Sequence, residues 1–303
     1  MNIIARILKN PQKLRWTIIH RKLVYLFARF YSDRKFLEAL FPLRTGYALN
    51  LNNPQTFNEK LQWLKLYDRQ PEYTMMVDKA EVKKWVAEKI GNEYVIPTIA
   101  VWDKVEDIDW DLLPHQFVLK CTHDSGGIVV CKDKAKLDKK TAIKKMSRGL
   151  KRQYFRENRE WPYKNVPHRI IAEEYKEDES GNLNDYKWFC FDGEPRAMFI
   201  ATDRFTPGVE TKFDFYDMNF NHLPFTNGHP NSDIKIKKPK GFEEMKRLAA
   251  ILSKGIPQVR VDFYDINGRI YFGELTFFHW SGMKPFEPKE WDLTFGKWIQ
   301  IPN

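Results

Sequence analysis

Apolar residues along the chain follow helical spacing in some blocks and strand spacing in others. Val82, Trp85, Val86 and Ile90 recur every three or four residues and predict a helix over 78–90 that ends at Gly91. The same spacing predicts helices over 141–159 and 242–254. Short apolar runs separated by Gly-containing turns predict strands over 117–121, 128–131, 169–175, 185–191, 195–201, 258–264 and 269–276. The fold class is therefore α+β, with antiparallel sheets and helices grouped between them.

The first 35 residues form a segment of different character. Apolar residues at helical spacing are interrupted there by nine basic residues and one acidic residue, and the segment carries +8 of the net charge of +10. Because the excess is local, a non-specific nucleic-acid binder is not indicated, and we expect no nucleic acid as a partner. The pattern predicts an amphipathic helix that packs on the body with a solvated basic face. The alternative is a helix that lies on an anionic membrane surface or a polysaccharide assembly.

Cysteine content and hydropathy limit the cellular setting. The three cysteines, Cys121, Cys131 and Cys190, show neither CxxC spacing nor a Cys/His zinc pattern, so neither disulfides nor a structural zinc is indicated. No apolar run is long enough for a signal peptide or a membrane span. These features predict a cytoplasmic protein, which would act at the inner face of the membrane if the N-terminal segment binds lipid.

The predicted hairpin over 258–276 carries the most informative polar residues. Alternation in VRVDFY places Arg260 and Asp262 on one face of the strand, opposite its apolar residues. We expect a three-residue loop, Ile266 to Gly268, that pairs Arg260 with Glu274 and Asp262 with Phe272, because a two-residue turn would send Glu274 to the opposite face. Two carboxylates on one face suit Mg²⁺. The alternative is an exposed sheet face with ordinary salt bridges.

A lysine and a Ser/Gly loop follow the strand predicted over 117–121. Lys120 ends this strand, and Ser125, Gly126 and Gly127 follow in CTHDSGG, as in a loop whose backbone N–H groups cover phosphate oxygens. The alternative is a gatekeeper lysine beside a simple turn. Neither a Walker A motif nor GxGxxG occurs in the sequence.

Four segments together resemble one protein family. FNEKLQWLKLYDR, FVLKCTHDSGG, DYKWFCFDGEP and VRVDFYDINGRIYFGELTFF resemble the TupA-like branch of the ATP-grasp superfamily, over about Asn52 to Phe286. The resemblance implies two α+β subdomains whose antiparallel sheets sandwich a nucleotide. It divides the chain into a basic helical lead-in over 1–75, a subdomain with a phosphate-binding flap over 76–172, and a subdomain with the Mg/ATP hairpin over 173–303.

The resemblance also implies roles for individual residues. Arg260 and Lys120 are the expected catalytic cations. Expected nucleotide contacts are made by Lys79, Lys120, Ser125, Gly126, Gly127, Glu173, Glu174, Tyr175, Asp185 and Lys187. Expected Mg²⁺ ligands are Asp262, Glu274 and Thr276, although relatives usually carry Asn at the position of Thr276, which puts a second metal ion in doubt. Further candidates are Arg204 and Lys212 for the γ-phosphate, and His123, His279 and Trp280 for phosphate or acceptor.

The function implied is that of an ATP- and Mg²⁺-dependent carboxylate–amine ligase that forms an amide through an acylphosphate. The expected substrates are a carboxylate, either a uronic acid or an amino acid, and an amine, in the modification of a cell-surface polysaccharide or its precursor. One alternative is a nucleotide-sugar glycosyltransferase that uses Asp107 and Asp109 to hold a metal–diphosphate. Another is a non-enzymatic nucleotide-binding scaffold, although such a protein would not need Lys120, Arg260, Asp262 and Glu274 together.

Overall fold

The computed structural model describes residues 11–178, 183–203 and 208–302, with side chains from residue 18 onward. Two antiparallel sheets and the helices around them make up these residues, which confirms the predicted α+β class. The helices are α1 (Pro11–Leu26), α2 (Asp33–Thr45), α3 (Phe57–Tyr67), α4 (Glu72–Val77), α5 (Val82–Ile90), α6 (Lys139–Leu150), α7 (Phe155–Asn158), α8 (Phe242–Ser253) and α9 (Glu290–Trp298).

Local signals set several helix ends. α3 begins with a capping box, in which Thr56 accepts the N–H of Glu59 and the Glu59 carboxylate accepts the N–H of Thr56. α2 ends at Gly46, whose φ of 84° is in the left-handed region. The helix predicted over 141–159 is wrong as one element, because the chain leaves helical geometry after Leu150 and forms the separate short helix α7.

The strands form a small sheet and a large sheet. The strands are β1 (Thr98–Trp102), β2 (Phe117–Cys121), β3 (Ile128–Cys131), β4 (Ile170–Glu174), β5 (Asp185–Phe191), β6 (Glu194–Thr202), β7 (Lys212–Tyr216), β8 (Val259–Ile266) and β9 (Arg269–Thr276). The small sheet has the order β1-β4-β2-β3 and the large sheet the order β7-β6-β5-β8-β9. The hydrophobic pattern did not predict β1 or β7.

The β8–β9 hairpin corrects the expected loop. Ile266 pairs with Arg269, so the turn has two residues, Asn267 and Gly268, and both have positive φ. The expected pairing of Asp262 with Phe272 is wrong, because the register shifts between Asp262 and Phe263 and leaves Gly273 as the additional residue of a bulge. A Cβ at Gly273 would lie 3.1 Å from the Asp262 carbonyl oxygen.

The register beyond this bulge decides which polar residues share a face. Asp262 pairs with Glu274 and Arg260 pairs with Thr276, so the expected pairing of Arg260 with Glu274 is also wrong. The expected common face is nevertheless formed, because the extra residue that was expected in the loop lies in β9 instead. All four polar side chains therefore lie on one face of the sheet.

Three hydrophobic clusters hold these elements in place. The largest joins the large sheet to α3, α8 and α9, and includes the fully buried Trp188. A second lies between the small sheet and α6. A third joins α1 and α2 to the body through Met283. The predicted subdomain boundary at 172/173 falls within β4, and the division of the chain into subdomains stays a prediction.

The N-terminal helices are held unequally. α2, which lies mostly beyond the basic segment, buries Phe36, Leu37, Leu40 and Phe41. α1 and the turn after it bury Val24 but leave several large apolar side chains exposed, among them Leu26 at 67 % and Phe30 at 69 %. The first ten residues of the predicted amphipathic segment lie outside the described residues. Within the described residues, no helix is both long enough and apolar enough to cross a bilayer.

Candidate active site

The polar face of β8 and β9 holds a cluster of charged side chains. Arg260 donates from Nε to Asp262 Oδ1 and from Nη2 to Asp262 Oδ2, each at 2.7 Å, which makes a bidentate pair. Its Nη2 also donates to Thr276 Oγ1 at 3.0 Å and lies 3.6 Å from Glu274 Oε1. Burial opposes the charge on Arg260, but the Asp262 carboxylate outweighs it, so the pKa of Arg260 is raised.

Strand β5 adds a second cation and a third carboxylate. Lys187 pairs with Asp262 in register, its ammonium group forms a salt bridge with the Asp262 carboxylate, and its Nζ lies 3.6 Å from Asp185 Oδ1. Burial lowers the pKa of Lys187, and the nearby carboxylates only partly compensate. The structure thus brings together Arg260, Asp262, Glu274, Thr276, Asp185 and Lys187.

A second charged cluster lies on the small sheet. The buried Glu173 of β4 binds two lysines, with Lys120 Nζ 2.5 Å from Oε2 and Lys83 Nζ 2.5 Å from Oε1. Burial by itself would raise the pKa of Glu173, but the two ammonium groups lower it to about 2. The structure therefore places Lys83, rather than Lys79, beside Lys120.

Lys79 lies at the Ser/Gly loop. Its Nζ donates to the carbonyl oxygen of Asp124 at 2.5 Å, and its backbone N–H donates to Thr122. At the loop tip, Ser125 and Gly126 are exposed, and Gly126 has a φ of 103°, which favours glycine.

Close packing fixes the base of the same loop. A Cβ at Gly127 would lie 2.8 Å from Asp124 Oδ1, so any larger residue there would displace the buried Asp124 carboxylate. His123 stacks on His168 at 3.6 Å, and its Nε2 lies 3.2 Å from the carbonyl oxygen of Arg152. Burial, together with His168, lowers the pKa of His123 to about 4. The His123 side chain therefore supports the loop as a neutral group.

The segment after β4 borders a cavity of about 640 Å³. Its lining includes Glu174 and Lys176 from this segment, Thr98 from β1 and Tyr271 from β9, so both sheets contribute to it. A parallel bridge between Val95 and Phe272 joins the two sheets nearby. The Tyr175 hydroxyl donates to Glu177 at 2.5 Å. Residues 173–175, which carry expected nucleotide contacts and which we call the hinge segment, thus lie at a cleft between the two sheets.

Comparison with known proteins assigns this arrangement to a family. The model of the TupA-like ATP-grasp family matches residues 59–300. The chain belongs to the TupA-like ATP-grasp family. This result confirms the resemblance that the four sequence segments indicated, and with it the ATP-grasp fold. A search of curated proteins found no match.

Among solved structures, D-alanine–D-alanine ligases resemble this TupA-like chain at low identity. The enzyme from Bacillus anthracis in complex with ATP is 14 % identical, with a TM-score of 0.39, over 67 % of this chain and 53 % of that chain. The enzyme from Helicobacter pylori is 12 % identical, with a TM-score of 0.43, over 80 % and 69 %.

The ATP-grasp ligase PsnB, in complex with a minimal precursor, Mg and ADP, is also similar. It is 11 % identical, with a TM-score of 0.39, over 72 % of this chain and 57 % of that chain. This chain spans about half the length of the Bacillus anthracis ligase that it matches.

The donor set of the TupA-like site suits a hard cation only in part. Asp262, Glu274 and Thr276 offer oxygen ligands on one face, which fits Mg²⁺ bound by one or two carboxylates together with substrate phosphates. The described residues contain no group of three or more His, Cys, Asp or Glu side chains that could hold a metal ion. Both oxygens of Asp262 already accept hydrogen bonds, from Arg260 at Oδ1 and from Arg260 and Lys187 at Oδ2, so a metal ion would share this carboxylate with two cations.

Some predicted residues lie away from this site. Arg204 falls outside the described residues. Lys212 begins β7, at the opposite edge of the large sheet from β9. Asp109 accepts the N–H groups of Asp111 and Leu112 and thereby forms a local turn, which is the ordinary role of an Asp in an exposed loop.

Sequence reasoning did not identify Lys83 as a residue of the site, and it did not predict that His279 contacts Arg260. Lys83 was not singled out, although the helix predicted over 78–90 would place it on the same side as Lys79, four residues earlier; in the structure Lys79 precedes the helix, which begins at Val82. His279 was considered only as an acceptor-pocket residue, whereas its Nδ1 lies 2.7 Å from Arg260 Nη1. No sequence pattern links these two residues, which come from β8 and from the turn after β9.

Proposed function

We propose that this protein is an ATP-dependent carboxylate–amine ligase. The γ-phosphoryl group of ATP moves to a substrate carboxylate, an amine attacks the resulting acylphosphate, and an amide forms while ADP and phosphate leave. The observation that carries the proposal is the cluster of Arg260, Lys187, Asp262 and Glu274 on one sheet face of a TupA-like ATP-grasp chain.

Cations and positioning provide the catalysis in this proposal. Phosphoryl transfer spreads negative charge over the phosphoryl oxygens, so Arg260 and Lys120 stabilise the transition state without a protein nucleophile. Arg260 also stabilises the oxyanion that forms when the amine attacks. Lys79 binds phosphate and the loop Ser125–Gly127 covers it, which keeps water from the acylphosphate.

The hinge segment holds the nucleoside in this proposal. Glu173, Glu174 and Tyr175 contact the adenine, and Asp185 lies near the ribose. Because Lys83 and Lys120 engage the Glu173 carboxylate, we assign the adenine contacts at this position to backbone groups. Lys187 contacts phosphate or substrate.

Mg²⁺ is the expected metal cofactor, with Asp262, Glu274 and Thr276 as its protein ligands. When bound, Mg²⁺ neutralises charge that develops on the phosphate oxygens. Asp262, Glu274 and Thr276 would hold this ion, and Lys187 and Arg260 beside them would bind phosphate or substrate oxygens.

The proposed substrates are an amine and the carboxylate of a uronic acid or an amino acid. The product would be a modified cell-surface polysaccharide or its precursor, in keeping with the setting of the TupA-like family. The N-terminal helix supports a location at the inner face of the membrane, because exposed Leu26, Phe27 and Phe30 lie beside exposed Lys22 and Arg29. We therefore propose peripheral contact with an anionic membrane or a polysaccharide assembly.

Calorimetry of MgATP binding tests the nucleotide site. We expect binding by the wild type, and at least tenfold weaker binding by Glu274→Gln and Lys120→Ala, because each loses a charge that faces the metal–phosphate group. Glu194→Gln and Lys136→Ala are matched controls, since both residues are exposed and lie outside the cluster and the cavity. Unchanged binding in the first two variants would contradict the proposed site.

Product analysis tests the reaction. With MgATP and a panel of uronic and amino acids, we expect ADP and phosphate release that requires a carboxylate. The glycosyltransferase alternative predicts instead that a nucleotide sugar binds and ATP does not. Asp109 forms a local turn in this structure, and no contact of the described residues favours that alternative.

A further inference from the structure

The turn over residues 279–282, directly after β9, has an unusual backbone. Trp280 has a φ of 49°, Ser281 a φ of 56° and Gly282 a φ of 57°. Two consecutive non-glycine residues in the left-handed region cost conformational free energy and persist only where the surroundings impose them. The turn therefore needs support from the rest of the fold.

Helix α3 provides this support. Gln62 Nε2 donates to the carbonyl oxygens of Ser281 and Gly282 at 3.1 and 2.8 Å, and Lys65 Nζ donates to that of Ser281 at 2.8 Å. Both side chains are fully buried. They belong to the segment FNEKLQWLKLYDR, which carries part of the family resemblance and to which the proposed reaction gives no role. Their contacts indicate that this segment fixes the turn.

This supported turn places the buried His279 between Arg260 and Asn227. His279 Nδ1 lies 2.7 Å from Arg260 Nη1, and His279 Nε2 lies 2.9 Å from Asn227 Oδ1. Asn227 Nδ2 donates to the carbonyl oxygens of Lys284 and Pro285, each at 3.1 Å, which directs its amide oxygen toward the histidine. Nε2 must then carry the proton, so Nδ1 accepts from Arg260.

The imidazole is therefore a neutral acceptor. Burial, with the positive charges of Arg260 and Lys187, holds the pKa of His279 well below its usual range. A carboxylate in this place would offset the charge of Arg260, whereas a neutral imidazole orients the guanidinium and leaves its charge for the substrate. The guanidinium also lies over the Phe199 ring, and its other polar contacts are with Asp262, Thr276 and Glu274, which are the expected metal ligands.

We propose that His279 is a positioning residue for Arg260, held as the Nε2–H tautomer by Asn227 and aimed by the turn that Gln62 and Lys65 support. This inference rests on the proposed function. It assigns His279 to the orientation of the catalytic arginine rather than to the acceptor pocket. His279 holds the Nη1 end of the guanidinium, whereas Asp262 holds the Nε and Nη2 side.

The kinetic test compares His279→Ala with His279→Asn, because the asparagine amide oxygen can replace Nδ1 as an acceptor. ADP release from MgATP is measured with the carboxylate panel. We expect His279→Ala to lower kcat by about 10- to 100-fold while KM for ATP changes less than about threefold, and His279→Asn to recover most of the rate. In an Arg260→Lys background, His279→Ala should have little further effect.

A measurement without turnover keeps the two proposals apart. Long-range ¹H–¹⁵N spectra of histidine-labelled protein, with His279→Asn for assignment, should show an Nε2–H imidazole that does not titrate between pH 5 and 9. An imidazole that titrates normally, or one protonated on Nδ1, would overturn the inference, as would an equal loss of rate in both His279 variants. A wild type that neither binds nor hydrolyses ATP would refute the ligase proposal, and the imidazole spectrum would still test the tautomer.

Discussion

The buried carboxylate of Glu173 allows a quantitative prediction for the lysine cluster. Glu173 is 5 % exposed and binds both Lys83 and Lys120. The two ammonium groups bring its pKa from 4.5 to about 2. At about 1.4 kcal/mol for each pKa unit, this shift corresponds to roughly 3 kcal/mol of stability at pH 7. Glu173→Gln also leaves two cations without their counter-charge, so we expect a loss of about 3 kcal/mol.

The neighbouring residue provides the control. Glu174→Gln changes the same chemical group in the same strand, but the Glu174 side chain is 45 % exposed and forms a salt bridge with Lys176. We expect this variant to lose less than about 1 kcal/mol. Urea titration of both variants and the wild type at pH 7 gives the free energies of unfolding.

The pH dependence provides a second check. Because the folded pKa of Glu173 is lower than its unfolded pKa, the stabilisation is fully present above about pH 4.5 and is lost as the pH falls toward 2. The difference in free energy of unfolding between the wild type and Glu173→Gln should therefore become smaller as the pH falls from about 4.5 to 2. If the two variants at 173 and 174 lost equal stability at pH 7, or if the difference did not depend on pH, the reasoning would be refuted.

Two further predictions concern packing and the N-terminal helix. Gly296→Ala in α9 should lower the free energy of unfolding, measured by urea titration, by about 1–3 kcal/mol, because a Cβ there would lie 2.1 Å from the Gln55 carbonyl oxygen. An equal loss in Leu293→Ala, at a position 45 % exposed, would contradict this reading. The protein should sediment with anionic vesicles at low salt but not with neutral ones, and Phe30→Ser should weaken this binding. Ile234→Ser is the control, because Ile234 is 77 % exposed and lies outside the N-terminal segment, and equal effects would argue against lipid contact through that segment.

Much of the fold and part of the site followed from the sequence alone. Alternation along VRVDFY placed Arg260 and Asp262 on one face, since a strand has a side-chain period of two whatever it pairs with. The predicted strands at 117–121, 128–131 and 185–191 match the structure, because short apolar runs between turn residues depend on local chemistry. Edge strands β1 and β7 escaped detection, because pairing with neighbours defines them more than their own pattern does.

The tertiary structure decided what depends on contacts between distant segments. The shift that aligns Asp262 with Glu274 lies at Gly273 and not in the loop, because the short turn forces the extra residue into β9. Lys83 pairs with Glu173 although they lie far apart in the sequence, so helix packing selected it over Lys79. The proposed orientation of Arg260 by a neutral imidazole likewise depends on contacts of the turn at His279 with β8, Asn227 and α3, and no local pattern in the sequence predicts contacts between such distant segments.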